Sequence, residues 1–150
     1  MRWVALILVG IAWWTLLEYL LHRFAFHTRN PVFGRRHIAH HARLDERRLA
    51  IAPWFSMLGG ALVQALILFT VFGPAQGGAI LTGLLLGYAA YEWTHYGTHY
   101  RVARTRYGRY LRAWHLAHHH KSPRARFGVT SPFWDVVFGT YEPVQTGKRR

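Results

Sequence analysis

Cysteine is absent from this 150-residue chain, which excludes disulfides and every thiolate metal site. Acidic residues are scarce: 6 Asp and Glu stand against 19 Lys and Arg, a formal net charge of +13. No alternating polar and apolar run is long enough to build a sheet, so the expected fold is all-α. Low-complexity linkers are missing too, and nothing repeats except short histidine motifs. The length suits one domain over 1–150 better than two.

What the chain does have is long apolar runs. Residues 54–72, "WFSMLGGALVQALILFTVF", carry no charge, about the length needed to cross a bilayer core of ~30 Å. "GPAQGG" at 73–78 reads as a turn, and "AILTGLLLGYAAYEWTH" at 79–95 reads as a second span. The N-terminal run 3–21, "WVALILVGIAWWTLLEYLL", supplies a third. A cleaved signal peptide is the alternative for that run. It lacks a small-residue cleavage site, however, and passes into Glu18 and His22 without a break.

Charge then orients the spans. Segment 22–50 holds seven Lys and Arg, segment 97–150 holds eleven, and Arg2 is the remaining one. Short basic loops stay in the cytoplasm. The expectation is therefore a multi-pass protein of the cell inner membrane, with about three transmembrane helices. The N-terminus and the 73–78 turn lie outside, and 22–50 and 97–150 form a cytoplasmic helical cap. Attraction of "GKRR" at 147–150 to anionic lipid heads adds to this. The basic excess is thus a topology signal, and nucleic acid is not an expected partner. Trp3, Trp13, Trp14, Trp54 and Trp93 fall near span ends, where indoles favour the interface. Trp114 and Trp134 suit packing of the cap against the spans.

Eleven histidines fall into four groups, each at or just beyond the cytoplasmic end of a span. They are "HRFAFH" (His22, His27), "HIAHH" (His37, His40, His41), "HYGTH" (His95, His99) and "HLAHHH" (His115, His118, His119, with His120 adjoining). Residues three or four apart share a helical face, so His95 and His99 point the same way. In an H-x-x-H-H unit the last two rings splay by about 100°, with the first between them in angle. His118 and His119 can therefore reach toward different ions, as can His40 and His41. Two such units suit a dinuclear centre better than one tetrahedral zinc. His22 and His27 are separated by about 140° on an α-helix, so the chain must bend if both are ligands. His120 faces away and is left out. Neutral imidazole accepts zinc, copper, iron and nickel alike, and spacing does not choose among them. Glu18 and Glu92 precede His22 and His95 by four and three residues, and each is a candidate to hold its ring's orientation from behind.

In this order, the four motifs resemble the fatty acid hydroxylase superfamily of membrane oxygenases, the sterol desaturase group. "EYLLHRFAFH" and "FGVTSPFWDVVFGT" are most similar to its fatty acid 2-hydroxylase branch, and the likeness covers roughly residues 18–142. The resemblance implies two iron ions, for which zinc can substitute in purified protein. The implied ligands are His22, His27, His37, His40, His41, His95, His99, His115, His118 and His119. It also implies O2 as co-substrate and insertion of one oxygen into an unactivated C–H bond of a lipid, foremost a fatty acyl chain entering from the bilayer. The chain starts at a membrane span, without the b-type cytochrome domain of larger relatives, so a separate electron-transfer protein is expected. Larger relatives also have more membrane helices, and a partner chain is one way to complete the substrate enclosure.

Two other readings compete. One is a carotenoid or sterol hydroxylase or desaturase with the same centre; the three-residue spacing in "HYGTH" leans against a carotenoid. The other is a metal-ion transport or storage membrane protein. A transporter places ligands near the bilayer midplane, where "LVQALIL" and "ILTGLLLG" hold no ionisable group.

Overall fold

Arg2–Leu21 form α1, a run apolar on every side, so no single face is reserved for a core. Only Gly10, Glu18 and Tyr19 are buried, while Trp3, Val4, Leu8 and Val9 point outward. Twenty such residues make a helix about 30 Å long. The computed structural model describes residues 1–31 and 33–144; the basic 147–150 tail lies outside the described residues.

Trp54–Tyr100 form α3, 47 residues interrupted at Gly73, where φ is 76° and ψ is 166°. Glycine adopts that left-handed φ without a Cβ clash. Pro74 follows, and its fixed φ and missing N–H suit the first turn of a new helix. The chain doubles back there: a Cβ on Gly77 would lie 2.6 Å from the Leu68 carbonyl oxygen. The six-residue turn expected over 73–78 is thus confined to one residue. The expected spans 54–72 and 79–95 fall on the two arms, 54–72 and 74–100. By length and composition, α1 and the bent α3 are the 2 helices apolar enough to cross a membrane among the described residues.

α1 runs alongside the second arm in the same direction. A Cβ on Gly83 would sit 1.9 Å from the Ile7 carbonyl oxygen, and one on Gly10 would sit 2.0 Å from that of Ile80. Only bare backbones approach so closely, the way small residues pair helices in an apolar medium. The first arm is tied to α1 by Trp13, whose Nε1 donates to Gln64 Oε1 at 3.2 Å. Trp14 packs against the second arm, its ring edge-on to Tyr88 at 5.0 Å.

The remaining elements gather at one end of this stem. A π-helical turn, His22–Phe26, continues α1. Gly34–Ala42 form α2, and a 3₁₀ turn, Arg47–Leu49, leads into α3. Arg106–His120 form α4, started by Thr105, whose hydroxyl accepts from the Gly108 N–H at 2.9 Å. Phe133–Val137 form α5. Trp134 fastens α5 to α1, its Nε1 donating to Thr15 Oγ1 at 3.0 Å, and Phe138 stacks on Tyr19. No strand occurs among the described residues, so the fold is all-helical.

Candidate metal centre

Each histidine motif sits where local structure aims its rings inward. The π turn closes i to i+5 hydrogen bonds, which brings residues five apart onto one face. His22 and His27 therefore stack, with ring centroids 5.1 Å apart and planes 22° from parallel. That turn supplies the bend an α-helix would lack. α2 carries His37, His40 and His41, the last turns of α3 carry His95 and His99, and the end of α4 carries His115, His118 and His119.

The ten rings form two groups of five. One contains His22, His27, His37, His41 and His118; the other contains His40, His95, His99, His115 and His119. Within each group the ligand nitrogens all lie within 4.8 Å of one another. Both H-x-x-H-H units divide at their last pair, His40 from His41 and His118 from His119, as the 100° splay requires. The groups touch where His41 stacks on His119 at 3.9 Å. His120 is exposed and belongs to neither.

Proton positions show what such a group can hold. His22 Nδ1 lies 2.5 Å from the Phe127 carbonyl oxygen, His118 Nδ1 2.7 Å from that of Ala125, and His95 Nδ1 2.9 Å from that of Ala50. A carbonyl can only accept, so each Nδ1 carries the hydrogen and each Nε2 presents a bare lone pair. Burial keeps the rings neutral. It lowers His27 to about 4 and His40, His41, His99 and His118 to about 3. It also holds His22, His37, His115 and His119 well below the ordinary imidazole value, and the facing rings add to that effect.

Bare nitrogens crowded together call for a shared cation. In the first group, Nε2 of His37 lies 3.1 Å from that of His22, 3.3 Å from that of His27 and 3.0 Å from that of His41. In the second, Nε2 of His99 lies 3.1 Å from that of His40 and 2.8 Å from that of His115. With metal–imidazole bonds of ~2.0–2.1 Å, adjacent donors stand about 3.0 Å apart around a six-coordinate ion and about 3.4 Å apart around a tetrahedral one. The residues fit a pair of ions with more than four ligands each.

Three carboxylates, buried at Glu18 and Asp135 and half-buried at Glu92, stand one step behind these rings. Glu18 Oε1 accepts from the N–H groups of Val129 at 2.5 Å and Thr130 at 2.9 Å, and its Oε2 accepts from the Thr130 hydroxyl. Asp135 accepts from the N–H groups of Phe127 and Gly128, both at 2.8 Å, and from the Thr140 hydroxyl. Together they clamp the 125–130 segment whose carbonyls hold His22 and His118. Glu92 Oε1 accepts from the Ala52 N–H at 3.2 Å, two residues beyond the carbonyl that holds His95. Among the described residues, neither Glu18 nor Glu92 bonds an imidazole. Sequence spacing points each at its helical neighbour; the structure sends Glu18 to the Val129–Thr130 backbone and the Thr130 hydroxyl, and Glu92 to the Ala52 N–H and the Tyr88 hydroxyl. Sequence reasoning missed Asp135. Its one signal was a lone acid inside the apolar "PFWDVVF".

An apolar cavity of about 280 Å³ runs from this centre into the stem. His37 and His95, one ring from each group, line one end, and Gly60, Gln64 and Leu85 line it between the arms of α3.

Comparison with known proteins follows the same lines. Residues 7–140 match the fatty acid hydroxylase family model. The ceramide very long chain fatty acid hydroxylase scs7 of Schizosaccharomyces pombe is 35% identical over 94% of this chain and 43% of its own length. The dihydroceramide fatty acyl 2-hydroxylase FAH2 of Arabidopsis thaliana is 34% identical over 94% of this chain and 62% of its own. The solved structure of full-length scs7p, in which only the hydroxylase domain is visible, superimposes with a TM-score of 0.77 at 31% identity. It covers 94% of this chain and 58% of that one. The chain thus spans about half the length of the relatives it matches.

Proposed function

The chain belongs to the fatty acid hydroxylase family, and from that premise we propose that it is a membrane-bound di-iron oxygenase acting on a fatty acyl chain at carbon 2. The observation that carries this reading is the junction of two five-histidine groups with an apolar cavity. The similar fungal and plant proteins are hydroxylases of ceramide-linked acyl chains by name. A ring of each group reaches the cavity, so a chain lying in it meets both.

In this reading α1 and the two arms of α3 cross the inner membrane. The histidine end faces the cytoplasm, where the Lys and Arg excess of 22–50 and 97–150 belongs. The outward apolar side chains of both arms, such as Leu62 and Phe72 on the first and Leu86 and Trp93 on the second, support it. Iron, when bound, supplies activation of O2 and cleavage of the C–H bond, with one oxygen atom entering the lipid and the other leaving as water. The ten named histidines would hold it, and a separate electron-transfer protein would deliver the two electrons.

The protein's own part is positioning and exclusion. Phe127, Ala125 and Ala50 carbonyls keep the His22, His118 and His95 hydrogens on Nδ1, so each Nε2 stays free to bind. Apolar walls orient an acyl chain along the stem and keep water from the reacting carbon. The test is a lipid mass profile of cells expressing the chain, beside cells expressing His118→Ala. A lipid that gains one oxygen at carbon 2 only with the intact chain is the expected result. Loss of two hydrogens would instead move the chain to the desaturases. No difference, with iron-loaded protein and a supplied electron donor, would contradict the proposal.

A further inference from the structure

Arg36 is the one cation lining the apolar cavity, and it sits beside His37 at the metal end. Its Nη2 donates to two backbone carbonyls, those of Arg48 and of Ile51, the latter at 2.9 Å. These bonds fix the plane of the guanidinium. Its Nε–H, shielded from solvent, has no acceptor among the described residues. Among the described residues Arg36 makes no ion pair, although other arginines do. Arg36 as a whole is half-buried, but a shielded N–H without an acceptor is costly. A substrate oxygen would remove that cost.

We propose that Arg36 recognises the polar end of the substrate, its Nε–H donating to the carbonyl oxygen that ends the acyl chain. This rests on the fatty-acyl reading above and adds a reason for the carbon attacked. Arg36 and His37 both line this cavity, so a carbonyl held by the first places the adjacent methylene near the second. The rest of the chain then runs down the cavity toward Gly60 and Gln64, where no charged group waits. An amide and a carboxylate share the oxygen that Arg36 needs; a plain hydrocarbon lacks it.

The test uses the iron-loaded full chain in lipid nanodiscs, with a fluorescent alkyl probe displaced by hexadecanamide or by hexadecane. Unaltered protein is expected to prefer the amide by roughly tenfold or more, the worth of a hydrogen bond to a charged group. In Arg36→Gln the preference should collapse toward onefold while hexadecane binding stays, and hydroxylation should spread from carbon 2 to its neighbours. An Arg36→Gln protein that keeps both the preference and the single product overturns the proposal and leaves the lipid reading standing. If neither competitor displaces the probe from unaltered protein, the lipid reading falls and takes this inference with it. Metal content checks that Arg36→Gln is intact. If it is not, Arg36→Lys decides, because a reduced preference there supports the proposal and an unchanged one overturns it.

Discussion

The two five-histidine groups have the same donors and different supports. The first draws four rings from the His22–His41 stretch and one from α4, and two of its Nδ1 atoms are pinned to carbonyls of a single segment, 125–130. Glu18 and Asp135 clamp that segment from both sides. The second group joins α2, α3 and α4, and among the described residues only His95 has its Nδ1 pinned. The Nδ1 atoms of His40, His115 and His119 are buried without a partner. The first site is therefore oriented by the chain before any ion arrives. The second depends more on how α3 and α4 meet. Equal ligand counts do not make equal sites, because orientation comes from what stands behind each ring.

The largest effects should erase the difference. His41→Ala in the first group and His40→Ala in the second should each bring lipid hydroxylation to background, measured as hydroxylated lipid per mole of protein. Substantial turnover in either variant would mean that one group is dispensable.

Changes behind the rings should sharpen the contrast. Asp135→Asn should weaken metal affinity about 10- to 100-fold at the first site alone, the usual effect of losing a group that orients a ligand. Glu92→Gln should do the same at the second site through Ala50, by a smaller factor, since only one of its two bonds, that from the Ala52 N–H, reaches the segment behind His95. Metal titration of each variant reads this directly, and equal losses at both sites would break the comparison.

Acid should act next, and gradually. These rings have folded pKa values below the ordinary ~6.5 of imidazole. Between that value and the range of about 3 to 4 found for His27, His40, His41, His99 and His118, the unfolded chain takes up protons that the folded, metal-free chain refuses. Stability is then fully present above pH ~6.5 and falls as pH drops through this window. Thermal melts of chelator-treated protein at decreasing pH should show a falling Tm. A flat Tm from pH 7 to 4 would contradict this. The smallest effect belongs to His120→Ala, exposed and outside both groups, which should leave metal content and product unchanged.

Much of the site was legible in the sequence because helical spacing is rigid. The split of His118 from His119 follows from the 100° between consecutive residues, and the need for a bend between His22 and His27 follows from their spacing. What fills that bend, a π turn, was not legible, since it depends on how α1 ends against its neighbours. Nor was the membership of each group, which pairs rings up to 96 positions apart, such as His22 with His118. Glu18 and Glu92 looked like partners of the nearest histidine because only local spacing was available. Their true partners, Val129 and Ala52, are 111 and 40 residues away. Arg36 read as one more inside-positive charge, and only the fold shows that it lines the cavity. In the stem, hydrophobicity alone located the long apolar helices, but it overestimated the 73–78 turn. Pro74 looks like a breaker in a string of letters, yet it starts a helix when a left-handed glycine precedes it.

One chain brings together two separate five-histidine groups, each fit for its own ion. The most direct test counts metal ions per chain in purified unaltered protein, in His118→Ala, in His119→Ala and in the double variant. These two histidines are adjacent in sequence and assigned to different groups. Two ions, then one, one and none, is the predicted series. A single ion in unaltered protein, or loss of both ions from either single variant that keeps its helical content and Tm, would contradict it.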